Sequence, residues 1–368
     1  MKKKIIAIHL RDDYSGSPRV LKEAVSCLST EFDVEVWAGG ESNGILADNA
    51  TNIKRYFYCW SANRYMRLLN YLTSQIVVFF KVLFVSKTDI DLIYINTLLP
   101  FGAAVAAKLR NIPVLYHIHE VAIAPKPLMS FLVFIASMTA DEALYVSNYH
   151  SSLALLKKKK GITIHNSLPK EFAKKASLAI YSPMIDEKFV VLMVASQRDY
   201  KGIYEFLEVA ELLRLSAKHI VFQLVFGSTD EMVSEFRSNI YVPSNVEIFS
   251  QQDDLSRFYR NASLVLNLSR PDQWIETFGL TILEAMAYGV PVIAPPVGGP
   301  VEIVNGGKNG YLISCYDMDL LASKINELSN SRDLCLRLSV NARETSHTFS
   351  HEHFSEAIIG AVHDVIRS

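Results

Sequence analysis

Ser269 to Ile313 reads SRPDQWIETFGLTILEAMAYGVPVIAPPVGGPVEIVNGGKNGYLI. It parses into a polar loop, a helix start at Thr277 to Gly279, a helix through Tyr288, and a short strand around Val292 to Ala294. A Gly-Gly turn and a second helix start follow. A short apolar strand set between helices is the rhythm of a parallel α/β sheet. Glu276 and Glu284 bracket the first helix start with seven residues between them. Backbone amides at Phe278, Gly279, Leu280 and Thr281 would lack intrahelical partners there. Such a helix start attracts phosphate through those N–H groups and its positive dipole end, and Gly279 lets a ligand approach the backbone closely. Ionised carboxylates on either side suit hydroxyl-rich groups, because each accepts several hydroxyl protons. Phosphate flanked by polyol describes a nucleotide-sugar.

The same alternation runs outward from this stretch in both directions. Toward the N-terminus of this half, strands are expected at Lys188 to Ala195, Val221 to Phe226, Val246 to Phe249 and Leu264 to Leu268, with a helix over Gly202 to Ala217. A strand over Gly310 to Ile313 closes the set. The first half repeats the pattern, with strands at Lys4 to His9, Asp33 to Ala38, Leu92 to Asn96, Val114 to His119, Ala143 to Ser147 and Ile162 to His165. Helices are expected at Ser17 to Thr30, Asn63 to Ser86, Phe101 to Arg110 and Ser147 to Lys158. The expected fold is therefore α/β, with two Rossmann-like doubly wound parallel-sheet domains facing across a cleft. They cover residues 1–170 and 186–350, with the join at Pro169 to Asp186, where neither periodicity holds. A C-terminal helix of about 352–368 is free to pack back on the first domain. In such sheets ligands sit beyond the carboxyl ends of the strands.

The stretch Ser269 to Ile313 resembles glycosyltransferase family 4, the retaining GT-B transferases. The pattern is Glu, seven residues, Glu, with Phe-Gly after the first Glu, then Glu-Ala-Met-Ala, Gly-x-Pro-Val-Ile and a Gly-Gly-x-x-Glu turn ending here in Glu302. The resemblance implies a GT-B architecture and transfer of a hexose from a UDP- or GDP-linked donor with retention of configuration. It implies that Glu284 binds the ribose hydroxyls and that Glu276 lies near the transferred sugar. Lys201, in ASQRDYKG after the strand that opens the second domain, fits the lysine that pairs with the donor diphosphate. The family arginine falls on Ser196, so Arg198 is the candidate substitute. Gly16 stands where the family has a Gly-Gly pair lining the donor phosphates. His119, at the carboxyl edge of its strand, matches the histidine that contacts the sugar. Gly227, Phe249 and Ser250 match loops bordering the nucleotide, and Asn166 matches a turn near the domain join. The resemblance also implies metal independence, and His117-Ile118-His119-Glu120 is a poor zinc spacing.

The chain is 368 residues with a formal net charge of -1. Residues 1–170 carry 20 Lys+Arg against 13 Asp+Glu, or +7; the remainder carries 17 against 25, or -8. A basic first half suggests an anionic partner such as a membrane surface or a phosphate-bearing acceptor, and no nucleic acid is expected. Asn63 to Ser86 combines Arg64, Arg67 and Lys81, with Lys87 nearby, and five aromatic residues; such a helix can lie on an anionic membrane or be a well-buried helix covering the sheet. The apolar runs Ile76 to Val85 and Pro127 to Met138 are shorter than the roughly 20 residues that span a bilayer. The N-terminal MKKKIIAIHL reads as a first strand, and Cys27, Cys59, Cys315 and Cys335 as buried thiols of a reducing compartment. Lysines 157–160 read as a solvated helix end. A cytoplasmic enzyme is expected, peripheral at the inner face of the membrane, acting on a glycan or lipid-linked glycan acceptor in bacterial cell-surface polysaccharide or glycoconjugate synthesis. The rival readings are a GT-B-fold epimerase or phosphorylase and a non-catalytic nucleotide-sugar-binding protein.

Overall fold

The computed structural model describes residues 2–40, 44–47, 53–86, 90–156 and 161–367; Lys87 and the lysines at 157–160 lie outside them. The chain divides into two compact units, residues 1–166 with 352–368, and residues 167–351.

The first unit contains β1 (Lys4–His9), α1 (Gly16–Leu28), β2 (Asp33–Gly39), β3 (Ile53–Tyr56), α2 (Arg64–Phe84), β4 (Leu92–Asn96), α3 (Phe101–Leu109), β5 (Val114–Ile118), α4 (Lys126–Thr139), β6 (Glu142–Tyr145), α5 (Asn148–Ser152) and β7 (Ile162–Thr163). All seven strands run parallel in the order β3-β2-β1-β4-β5-β6-β7. β1, β4 and β5 are apolar runs whose residues are almost all buried, as strands covered on both faces must be. Side-chain caps fix two helix starts: Asn63 Oδ1 accepts the N–H groups of Tyr65 and Met66 (3.0 and 3.2 Å), and Ser147 Oγ accepts that of His150 (3.1 Å).

The second unit contains α6 (Lys170–Ser177), β8 (Phe189–Ala195), α7 (Ile203–Leu213), β9 (Ile220–Phe226), α8 (Asp230–Asn239), β10 (Val246–Phe249), α9 (Ser256–Arg260), β11 (Leu264–Leu266), α10 (Leu280–Ala287), β12 (Val292–Ala294), α11 (Pro300–Ile303), β13 (Gly310–Leu312), α12 (Met318–Ser329) and α13 (Arg332–Thr348). Its six parallel strands are ordered β10-β9-β8-β11-β12-β13. The last helix, α14 (His351–Arg367), belongs to the first unit from Glu352 onward. There His363 packs its ring on Phe32 (4.9 Å between centroids), with Nε2 2.7 Å from Glu31.

Several expectations change. The unit boundary falls at 166/167 instead of within 169–186, because Lys170 to Ser177 fold as α6. Pro169 precedes that helix, Glu171 stands in its first turn and two lysines in its last, all favourable for a short helix. β5 ends at Ile118, so His119 lies just past the strand, and α5 stops at Ser152. β3 had no apolar run to announce it; IKRY is a four-residue strand with one buried residue. Cys59 is exposed, unlike the other three cysteines. The whole of α2, 21 residues with mean hydropathy 1.2 over its most apolar window, is long and apolar enough to cross a membrane, although 28% of that window is buried.

Arg343 of α13 ties α6 to α10. Its Nη1 donates to Ala176 O (3.3 Å), and its Nη2 to Tyr288 O (3.0 Å) and Ala179 O. Replacing it with Ala strips three carbonyls of a shared charged donor. The substitution is expected to cost about 2 kcal/mol, seen as a lower urea midpoint at unchanged slope. Lys at this position should recover less than half, since an ammonium lacks the planar fork that spans three acceptors.

Candidate functional site

Sheet order reverses between β8 and β11 in the second unit and between β1 and β4 in the first. At such a switch point neighbouring loops diverge and leave a crevice beyond the strand ends. Both units gather their polar side chains there.

In the second unit the loop after β8 makes one 3-10 turn, Asp199–Lys201, ended by Gly202 at φ 77°. A Cβ on Gly202 would lie 2.1 Å from Leu268 O, so only glycine fits this left-handed position against the loop after β11. The two loops are also joined by Arg270 N–H to Tyr200 O (2.8 Å) and by stacking of Tyr200 on Trp274 (5.0 Å between centroids). Arg270 in turn pairs with Glu205 of α7 at 2.7 Å. This bracing brings Lys201 Nζ to 2.8 Å from Glu276 Oε2, with each side chain about one-fifth exposed. Ser269 Oγ lies 3.4 Å from the same oxygen. Burial pushes the Glu276 carboxyl up. The Lys201 charge and hydrogen bonds from Lys201, Asn267 and Ser269 outweigh it and hold the group below the usual carboxylate range. Glu276 is therefore ionised at neutral pH.

Directly after it, Phe278 is buried with its ring on Phe349 (5.6 Å), so only its backbone can serve a ligand. Gly279 is the N-cap of α10 at φ 107°, and Leu280 and Thr281 open the helix, where N–H groups lack intrahelical acceptors. Glu284 sits one turn deeper and is buried, its Oε2 accepting the Tyr259 hydroxyl at 2.5 Å. Glu276 and Glu284 are thus differently placed, one partly open beside Lys201 and one enclosed. Arg198 is exposed, and its guanidinium makes no ion pair among the described residues. Gly227 follows β9, exposed, with open space where a Cβ would stand. Phe249 ends β10 against Phe258 (5.0 Å), and Ser250 follows half-buried. All of these lie at the carboxyl edge of the sheet.

His119 and Gly16 belong to the first unit. Gly16 opens α1, exposed. The neighbouring Ser17 O accepts from Asn96 Nδ2 (3.1 Å), which also contacts His9 Nδ1 (3.0 Å). That orientation turns Asn96 Oδ1 toward His119, whose Nε2 donates to it at 2.9 Å. The His119 proton is therefore on Nε2, and Nδ1 is the acceptor. Burial, then neighbouring His117, His150 and His9, hold His119 well below the usual imidazole range, so it is neutral. Burial and His150 lower His117 to about 3; its Nδ1 accepts the Tyr94 hydroxyl (2.6 Å).

Glu120 carries no role in the sequence motifs beyond its place in His117-Ile118-His119-Glu120. The structure makes it a hub: Oε2 accepts the N–H of Leu98 (3.3 Å) and of His119 (3.2 Å), and its backbone O accepts from His150 Nε2 (3.0 Å). Thr97, which hydrogen-bonds the same carboxyl, holds φ 75°, a strained value for a β-branched residue. Burial raises Glu120 to about 7 despite these donors. A carboxylate immediately after a strand end was the available signal. Among the described residues no group of His, Cys, Asp and Glu is arranged to hold a metal.

Residues 180–345 match the family model described as glycosyl transferases group 1. Sucrose-phosphate synthase of Spinacia oleracea and a probable sucrose-phosphate synthase of Craterostigma plantagineum are each 35% identical over 100 residues, 27% of this chain. The matched stretch is only about a tenth of those proteins, 10% and 9% of their lengths. Among solved structures, Anabaena HepE with UDP and glucose superposes at TM-score 0.74 with 18% identity, covering 100% of both chains. TarM superposes at 0.75 with 14% identity, covering 100% of this chain and 99% of that one. These likenesses give the fold as GT-B, and the family match supports a glycosyltransferase.

Because Glu120 is raised in the folded chain, its contribution to stability is present in acid and lost as pH climbs from the usual carboxyl range through about 7. Wild type should lose stability relative to Glu120→Gln between about pH 5 and 8, followed by thermal melting across that window. Parallel curves would show that Glu120 does not titrate there.

Proposed function

We propose that the protein transfers a hexose from a UDP- or GDP-linked donor to a glycan or lipid-linked glycan acceptor, with retention of configuration. The place of action is the cytoplasmic side of a bacterial membrane, in cell-surface polysaccharide or glycoconjugate synthesis. The observation that carries the reading is the Lys201–Glu276 pair, 2.8 Å apart at the sheet switch point, beside the N-terminus of α10. The UDP and glucose held by the HepE structure support a nucleotide-sugar as the donor.

Cleavage of the bond between the sugar's anomeric carbon and the diphosphate leaves negative charge on the phosphate. A fixed ammonium at Lys201 and the amides of Leu280 and Thr281 are suited to that charge, with Arg198 at hand from an exposed position. Positive charge is thus supplied by the protein, and the reading requires no bound metal. Glu276, kept ionised, accepts hydroxyl protons of the sugar and holds Lys201 in position. In the first unit His119 presents an unprotonated Nδ1, an acceptor for a sugar hydroxyl. The acceptor hydroxyl bonds to the anomeric carbon on the face the phosphate leaves, and its proton passes to a leaving phosphate oxygen. Glu284 takes the ribose hydroxyls, its second oxygen shared with Tyr259. The loops carrying Gly227, Phe249 and Ser250 border the base, and Gly16 admits the donor phosphates close to the backbone.

A thermal-shift screen of UDP- and GDP-sugars identifies the donor, since a ligand bound only by the native state raises its stability. With that donor, Glu276→Gln and Lys201→Ala should each lower turnover by about 100-fold, the scale of removing one charge-stabilising group. Glu284→Gln, which keeps an acceptor for Tyr259, should weaken donor binding roughly ten-fold with a smaller effect on turnover. Unchanged turnover in the first two variants, or a new sugar nucleotide formed without acceptor, would overturn the transferase reading.

A further inference from the structure

Helix α2 has two apolar faces, and only one is used by the fold. The inner stripe of Tyr71, Ser74, Gln75, Val78 and Val82 is buried, and Gln75 Oε1 accepts the Gly102 N–H of α3 at 3.1 Å. The outer stripe runs Tyr65, Leu69, Leu72, Ile76, Phe80 and Phe84, at the spacing of three and four that lines one side of a helix. Tyr65, Ile76 and Phe84 are 68%, 58% and 77% exposed. Helix α4 adds Phe131, Phe134 and Met138, all exposed, at the same spacing. Phe101 of α3 packs edge-on against both Tyr71 (6.1 Å) and Phe131 (5.1 Å), so the helices form one layer. Isolated exposed apolar side chains are ordinary; a continuous stripe extended onto a neighbouring helix marks an interaction surface.

Its charge says what it faces. Neither α2 nor α4 contains an acidic residue, while Arg64, Arg67, Lys81 and Lys126 are all exposed. Arg64 lies over the Tyr65 ring at 4.6 Å, and Arg67 and Arg11 over exposed Trp60 at 5.9 and 5.8 Å. Aromatic rings beside cations at the rim of an apolar stripe are the side chains that settle at a lipid headgroup boundary. Two copies of this chain meeting here would set basic face against basic face. A transmembrane placement would pull the packed inner stripe away from α3. We propose that α2 and α4 form a docking face for an anionic lipid bilayer, with α2 lying in the plane of the headgroups. The outer stripe enters the acyl boundary, and the arginines and lysines meet anionic headgroups. The proposal is independent of the transfer reaction, since it is read by binding alone.

Full-length protein is sedimented with vesicles of phosphatidylcholine alone and with about 30 mol % phosphatidylglycerol, at low and high salt. Binding to the anionic vesicles is expected, weakened by salt, with little on the neutral ones. Ile76→Asp/Phe80→Asp should reduce anionic binding by ten-fold or more, because charges replace the inserted side chains. Arg64→Gln/Arg67→Gln, on the exposed first turn, should reduce it by roughly thirty-fold, at about a decade or less per headgroup contact. The second pair keeps the test decisive should the first disturb folding. No anionic binding, binding indifferent to all four substitutions, or an apolar-dependent dimer without vesicle binding would overturn the proposal.

Discussion

An ammonium and a carboxylate held 2.8 Å apart, each four-fifths covered, are stable only as a pair. Either alone would carry a desolvation cost of several kcal/mol, and removing one strands the other. Much of the second unit is arranged around keeping them together. Gly202 lets the Lys201 turn sit against Leu268, Tyr200 stacks on Trp274, and Arg270 anchors to Glu205. The loop after β12 holds the other partner, with Gly299 N–H donating to Glu276 O at 2.8 Å. Three loops leaving β8, β11 and β12 thus converge on one charge pair. Fixed charge needs no reorganisation when a substrate's own charge develops beside it, which is where such preorganisation has chemical value.

The first unit answers the same topological position with neutral groups. Four histidines near the β1/β4 switch point, His9, His117, His119 and His150, are all lowered, chiefly by burial. Several imidazolium ions so close would repel one another, so the cluster persists by staying unprotonated. Neutrality then makes the tautomer informative: Asn96, pinned by Ser17, dictates which nitrogen of His119 bears the proton. Beside them Glu120 sits near its transition at neutral pH, and it is tied to backbone N–H groups on both β4 and β5 exits. One unit therefore offers fixed charge and the other oriented, uncharged hydrogen-bonding groups.

What could be read in the sequence follows from how local each cause is. β1, β4 and β12 have the bounds expected, because a strand buried on both faces shows as an uninterrupted apolar run. β3 was invisible, since IKRY takes its place from pairing with β2, not from its own pattern. α6 was hidden because Pro, Lys and Ser resemble a linker until Phe172 is seen packed edge-on against Tyr259 and Tyr288. Lys201 and Glu276 could be named from their motifs, but their mutual distance depends on a turn and a loop 75 residues apart. Tyr259 was beyond reach for the same reason, and Glu120 showed only its place just after a strand end. Tyr259 gains meaning only beside Glu284, and Glu120 only where Leu98 and His119 bring their amides.

Helix α2 shows how a fold can specify more apolar surface than it consumes. A parallel sheet needs cover on both faces, and α3, an Ala-rich helix, lies deep enough to supply much of it. Gly102 admits α2 so closely that a Cβ there would fall 2.2 Å from Gln75 O. That approach seats Val78 and Val82 in the core and completes the inner face with five residues. Among the described residues, nothing in the core packing then calls for Leu69, Ile76 or Phe84 to be apolar; glutamate or lysine would satisfy both helix propensity and solubility at those positions. Leaving them apolar offers no gain to the folded unit and invites association. The composition of the outer stripe is therefore explained by something outside the unit itself, and the basic side chains around it give that something its sign.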